Sequence, residues 1–231
     1  MTTRTLALAT VILSLAAAVG AAERVLTDSY PAANIDRVSI KNGVGDVVVT
    51  AAEVPDITVD ITLIPRRGGL FSSYRSAEQE VESARLDARV ADSRLKLSIE
   101  CSSNDPHFEA QWVVVLPARM ALELSAGVGD VTVRGAAAGV QAELGVGDVV
   151  IEVTDGPVTV DVGVGDATVR GPAARYGTVT ASGGVGDADI LVGDERVTSD
   201  GLVGQSSAWR GDGPHSITLE VGVGEATIRL D

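Results

Sequence analysis

The sequence predicts an all-β fold: a parallel β-helix (β-solenoid) of roughly 18 to 21 residues per coil, with an N-terminal strand and helix insertion acting as a cap. Three observations lead to this prediction. A short glycine motif recurs at nearly even spacing, strand-like alternation flanks every copy, and the phase of the alternation changes inside the motif.

The recurring motif is Gly-Val-Gly-Asp, as in the stretch from Gly145 to Asp148. Copies begin at Gly43, Gly127, Gly145, Gly163, Gly184 and Gly222, and a degenerate copy begins at Leu202. From position 127 onward these starting points lie 18, 18, 21, 18 and 20 residues apart. Spacing in this range is typical of repeats that stack on one another.

Apolar residues occupy every second position on both sides of the motif, which is typical of half-buried strands. Leu144 and Val146 share one parity, whereas Val149 and Ile151 have the other. A straight strand would then expose its apolar residues, but a bend or bulge would not. We therefore interpret the motif as a bend, in which Val146 points inward as a plug and Asp148 is the first outward residue of the next strand.

The chain divides into a predicted secretory signal over residues 1–22 and a single domain over residues 23–231. The signal combines Arg4, an apolar core and small residues before Glu23. Within the domain, 51–120 is predicted to be the insertion and cap, including a helix over 76–89, and 121–231 the regular array. No cap is visible after the last predicted strand, which runs from Ala226 to Leu230.

Composition limits the partners and the compartment. A formal net charge of −14 argues against nucleic acid and anionic lipid. Cys101 is the only cysteine and lies far from the predicted cleavage site, which excludes a lipid-anchored N-terminal Cys and an internal disulfide. No second long apolar run follows the signal, so no integral membrane segment is expected after cleavage. We expect an exported protein, either periplasmic or secreted to the cell surface.

Stacking would place the acidic ends of the motif in one column. Its members are Asp46, Asp130, Asp148, Asp166, Asp187 and Glu225. Aspartates in such a column either bond the backbone of their own bend or bind calcium. The calcium-binding β-roll needs Gly-Gly-x-Gly-x-Asp, and Ala188 stands where its aspartate should be. We therefore predict no metal site.

Other candidate chemistry is sparse. His107 and His215 are isolated in the sequence, and no zinc set or catalytic triad can be assembled around them. No catalytic residue, cofactor-binding residue or cofactor is predicted. Arg134, Glu152 and Arg170 are expected to form a ladder of surface ion pairs on successive repeats.

The chain resembles the bacterial putative-adhesin family of exported β-strand-repeat proteins, a family of unknown function. The resemblance rests on the signal, on the Gly-x-Gly-Asp units followed by Val-x-Val, and on the strand from Trp112 to Pro117 that leads into the array. It implies a β-solenoid fold and a role in adhesion or in the envelope, and it offers no catalytic residues.

The main functional hypothesis is an exported, non-enzymatic adhesin or envelope-associated module that binds an unknown protein or glycan surface. One alternative is a structural envelope protein that associates end to end through an uncapped C-terminal coil. Another is a polysaccharide-active β-helix enzyme.

Overall fold

The structure is a computed structural model that describes residues 23–66, 74–103, 107–198 and 203–231. The predicted secretory signal, 1–22, lies outside the described residues. Within these ranges, no helix has the length and hydrophobicity that crossing a membrane requires.

The described elements are nearly all strands. The first half of the chain contains β1 (Arg24–Pro31), β2 (Arg37–Val44), β3 (Val47–Ala52), β4 (Asp56–Pro65), α1 (Tyr74–Ser83), β5 (Arg85–Ala91), β6 (Arg94–Glu100), β7 (Phe108–Pro117) and β8 (Ala121–Val128). The second half contains β9 (Val131–Ala136), β10 (Val140–Val146), β11 (Val149–Val153), β12 (Val158–Val164), β13 (Ala167–Gly171), β14 (Tyr176–Val185), β15 (Ala188–Val192), β16 (Glu195–Thr198), β17 (Val203–Arg210), β18 (His215–Val223) and β19 (Ala226–Leu230). Short 3₁₀ turns occupy Ala32–Asn34 and Ala173–Arg175.

The predicted parallel β-helix is wrong. The strands form two mixed sheets, a 10-stranded one in the order β1-β4-β7-β3-β9-β11-β13-β19-β15-β16 and a 9-stranded one in the order β17-β14-β18-β12-β10-β8-β2-β6-β5. Antiparallel pairs occur at both ends, where β1, β4 and β7 pair in turn and where β14 pairs with β17. Antiparallel strands therefore terminate a parallel centre, and the sheets do not close into a solenoid.

The predicted strands and their pairing in the centre are confirmed. Strand β10 pairs in parallel with β12, Val140 opposite Val158, and β11 pairs in parallel with β13, Val149 opposite Ala167. Because equivalent residues lie opposite one another, the apolar parity of every repeat faces the same way. The core between the sheets is consequently aliphatic, with Val160, Ile151 and Val169 completely buried.

The last repeat lies inside the sheets and not at their end. Strand β18 lies between β12 and β14, and β19 lies between β13 and β15. The prediction of an uncapped C-terminal coil is therefore wrong. The C-terminal repeat is covered on both sides because its apolar residues, such as Ile217 and Ile228, match the register of both neighbours.

The segment 51–120 contributes strands beside the first repeat. Strand β7 pairs with β3, β6 pairs with β2, and β5 lies at the edge of its sheet. The helix within this segment is shorter than predicted, because β5 begins at Arg85. Arg24 ties the helix to β1, with its Nη1 donating to the carbonyl oxygens of Val81 and Ala84 at 3.0 and 2.8 Å.

Candidate binding surface

Each motif forms a bend that carries the chain from the 9-stranded sheet to the 10-stranded sheet. The second glycine of the bend has a positive φ, 134° at Gly147, which L side chains rarely adopt. The bends also lie very close together: a Cβ added at Gly147 would be 2.1 Å from the carbonyl oxygen of Gly129. Glycine is needed here for both reasons.

The valine of each bend is exposed, so the prediction of an inward plug is wrong. Val146 and Val164 each keep 47% of their surface exposed. The equivalent residues Val128, Val223 and Val185 are exposed by 46, 47 and 51%. Strand alternation ends at the buried Leu144, and the positive φ of Gly147 then turns the chain toward the other sheet. The valine is the last residue of its strand and lies beyond the last buried position.

These valines form one straight row, because their strands pair in register. The order across the sheet is Val44, Val128, Val146, Val164, Val223 and Val185. Val44, at one end, is half-buried. With neighbouring strands ~4.8 Å apart, the row is roughly 24 Å long. Glycines on both sides of each valine have no side chains, so the row stands out from its surroundings.

A row of carboxylates lies beside the valines. Asp46, Asp130, Asp148 and Asp166 each accept a hydrogen bond from the backbone N–H of the acidic residue on the neighbouring strand, as when Asp148 N–H donates to Asp130 Oδ1 at 3.0 Å. Glu225 N–H donates likewise to Asp166 at 2.8 Å. These N–H groups offset the repulsion between neighbouring carboxylates. Asp187 differs, because it accepts from Gln205 Nε2 at 3.4 Å. The aspartates therefore link neighbouring repeats, where the sequence suggested capping of their own bend.

We name the row of valines together with this row of carboxylates the valine–aspartate edge. Its acidic members are exposed at Asp46, Asp130, Asp148, Asp166 and Glu225. No group of three or more acidic, histidine or cysteine side chains placed to hold a metal ion occurs within residues 23–66, 74–103, 107–198 and 203–231. The edge thus presents an apolar strip with negative charge along one side.

The predicted ion-pair ladder is confirmed on the outer face of the 10-stranded sheet. Glu152 lies 3.7 Å from Arg134 and 3.4 Å from Arg170, measured between the closest charged atoms. All three side chains are substantially exposed. The ladder supports the register and contributes little free energy, because water screens exposed pairs.

A second charged cluster joins three turns at the opposite end of the repeats. Arg175 binds Asp155 with both Nε, at 2.8 Å, and Nη2. His215 Nε2 lies 2.9 Å from the same carboxylate, and Gly156 N–H donates to it. The bond from Arg175, followed by that from Gly156, lowers the pKa of Asp155 from 3.8 to about 2. Burial raises the pKa of the neighbouring Tyr176 to about 12.

We expect Asp155 to contribute to the acid sensitivity of the fold. A depressed pKa stabilises the folded state above the unfolded pKa of 3.8, and this contribution is lost as the pH falls toward about 2. Asp155→Asn should therefore show a shallower decline in melting temperature between about pH 4 and pH 2 than the wild type. Thermal unfolding followed by circular dichroism measures both slopes. Parallel slopes would show that the cluster does not form.

The comparisons with known proteins concern the fold. No protein-family model and no curated protein matches the chain. A putative cell adhesion protein from Clostridium sporogenes ATCC 15579 matches with a TM-score of 0.57 at 17% identity, over 90% of this chain and 100% of that chain.

Two further solved structures are more distant. Putative adhesins from Bacteroides fragilis NCTC 9343 and Parabacteroides distasonis ATCC 8503 have TM-scores of 0.34 and 0.28, at 11 and 12% identity. Each match covers 90% of this chain and 97% of the other chain, and neither supports an argument by itself. The name of the Clostridium structure agrees with the family that the sequence resembles, and its similarity to this chain concerns the fold alone.

Proposed function

We propose that this chain is an exported, non-enzymatic adhesin-type binding module whose contact surface is the valine–aspartate edge. The observation that carries the proposal is the exposure of the motif valines, 46 to 51% for five of them, in one straight row. Contiguous exposed apolar surface marks sites of interaction, whereas scattered exposed valines need no explanation.

The charge beside the row indicates the kind of partner. The carboxylates of Asp130, Asp148 and Asp166 accept backbone hydrogen bonds from a neighbouring repeat and remain exposed. A protein surface with an apolar strip bordered by lysine or arginine side chains would complement this edge in shape and in charge. The formal net charge of −14 would speed the encounter with such a surface at low salt.

The strand order does not support end-to-end self-association through the last repeat. That alternative required an exposed last strand, and β19 lies between β13 and β15. Among the described residues, the array ends instead in the antiparallel pairs β14 with β17 and β15 with β16.

The proposal predicts that removing the apolar row reduces binding and leaves the fold intact. In the triple variant Val128→Thr, Val146→Thr and Val164→Thr, lost apolar contact should cost on the order of 1–2 kcal/mol of binding free energy, roughly a tenfold loss of affinity. Biolayer interferometry against a panel of immobilised surface proteins and glycans, at low and high salt, measures it. Binding to at least one basic protein, weakened by salt, is expected.

A matched control variant is available. Val25, Val90 and Val113 are exposed by 63, 59 and 50% and lie away from the edge. Replacing these three with threonine should leave the affinity within about twofold of the wild type, since they contribute no contact. Equal losses in both triple variants, or binding to glycans alone, would contradict the proposal. Release of reducing sugar from any glycan would contradict its non-enzymatic part.

A further inference from the structure

The row of bends stops at the first repeat and leaves an opening there. A Cβ added at Gly127 would lie 2.4 Å from the carbonyl oxygen of Gly43, because the bends pack backbone against backbone. At Gly43 itself an added Cβ would meet nothing within 4 Å. Strand β7 covers the second glycine of this bend, with Ala110 beside Gly45, and leaves the first glycine uncovered.

A cleft of about 450 Å³ occupies this place, between the end of β6 and the start of β7. Its walls include Val44, Ile99, Cys101 and Phe108, and Gly43 also lines it. Phe108 is 6% exposed and gives the cleft a fixed aromatic wall. Clefts of this volume with mostly apolar walls are typical of small-molecule sites.

Two polar residues of β2 line the same cleft. Asn42 is 5% exposed, and its Nδ2 donates to the carbonyl oxygens of Gly45 at 2.7 Å and Ala110 at 3.1 Å. These bonds fix the amide and hold β7 against the first bend. Lys41 lines the cleft, is exposed, and makes no hydrogen bond or ion pair with any residue that the structure describes.

We propose that this cleft binds a small amphipathic monoanion, a medium-chain carboxylate, with the carboxylate at Lys41 and the apolar chain against Val44, Ile99 and Phe108. Among the described residues that line the cleft, Lys41 is the single cation. The formal net charge of −14 opposes anions in general, and the one ammonium of Lys41 offsets this for a single negative charge, which limits the ligand to a monoanion. The site is distinct from the contact proposed for the valine–aspartate edge, although Val44 belongs to both.

Cys101 provides a direct reporter of occupancy, because it is the only cysteine of the chain and lines the cleft. We expect decanoate, below its critical micelle concentration, to slow the reaction of Cys101 with the neutral reagent N-ethylmaleimide at least fivefold. Decanol should protect less, and decylamine should not protect. Isothermal titration calorimetry with decanoate provides an independent affinity.

Two variants test the two halves of the site. Lys41→Gln should weaken decanoate binding roughly tenfold and leave decanol binding unchanged, because only the charged hydrogen bond is lost. Gly43→Leu should place a side chain in the cleft and abolish protection by either ligand, and the open space around Gly43 allows it to fold. Thermal unfolding without ligand checks that both variants are folded.

Lys96→Gln is the matched control. Lys96 is also exposed on a strand of the same sheet but does not line the cleft, so decanoate binding should be unchanged. Three results would overturn the proposal: no protection by decanoate, equal protection in Gly43→Leu, or protection by decylamine as strong as that by decanoate. Equal losses in Lys41→Gln and Lys96→Gln would overturn the role of Lys41.

Discussion

Replacing Gly165 with alanine is expected to destabilise the protein strongly, as is replacing the equivalent Gly186 or Gly224. A Cβ at Gly165 would lie 1.9 Å from the carbonyl oxygen of Gly147, and the φ of 139° is unfavourable for alanine. The overlap is with backbone that two sheets hold in place, so it cannot be relieved by rotation of a side chain. We expect a loss on the order of 3–5 kcal/mol in the free energy of unfolding, measured by denaturant titration.

Substitutions at two further glycines separate the two causes of this loss of stability, the close approach to backbone and the unfavourable φ. Gly163→Ala keeps an ordinary φ and would place its Cβ 2.6 Å from the carbonyl oxygen of Gly145, so its cost reports close approach alone. Gly43→Ala meets nothing within 4 Å and should change the stability by less than about 0.5 kcal/mol. A Gly165→Ala variant as stable as Gly43→Ala would show that the bends are not packed as described.

Removing residues 214–231 is expected to abolish the fold. The deletion takes β18 and β19 out of the middle of both sheets, together with the fully buried Ile217, Leu219 and Ile228. Losing this apolar burial costs on the order of 10 kcal/mol, comparable with the whole stability of a typical domain. The truncated chain should show no cooperative thermal transition.

Complementation provides the control for this deletion. A synthetic peptide of residues 214–231 should restore a cooperative transition when added to the truncated chain, because both of its strands have partners on each side. If the last repeat were the end of a linear stack, the truncated chain would instead melt cooperatively without the peptide. That result would contradict the strand order.

Strand positions and their register were accessible from the sequence, because both follow from local patterns. Apolar alternation placed β10 and β12, and the 18-residue interval between Gly145 and Gly163 predicted their pairing. The ion pairs of Glu152 followed from the same interval. Each of these inferences needs only one repeat and its neighbour.

The order of the strands within each sheet could not be predicted from the sequence in this way. All copies of the motif carry compatible residues, so Ala226 can pair with Ala167 or Ala188 equally well, and in the structure it pairs with both. Order along the chain therefore suggested a linear stack. The antiparallel returns at the ends, such as β14 with β17, involve pairing whose direction the period of the repeat does not specify.

The prediction that the motif valine points inward was wrong for a different reason. Parity predicts the direction of a side chain and not what covers it, and Val146 is the last residue of β10, beyond the last buried position at Leu144. The structural role of Asn42, by contrast, could have been predicted from the sequence. It stands where the other copies have Ala126, Leu144 or Val162, and a polar residue at a core position indicates a specific hydrogen-bonded role.

The position of the C-terminal repeat also determines when, during synthesis, the two sheets can be completed. A ribosome makes β14 to β17 before β18 and β19. In the folded protein, however, β14 is joined to the rest of its sheet through β18, and β15 is joined through β19. The native pairing of these earlier strands with the array can therefore form only after the later ones have emerged. Synthesis and folding are thus out of step by one whole repeat, and the nascent protein remains open until that repeat has been translated.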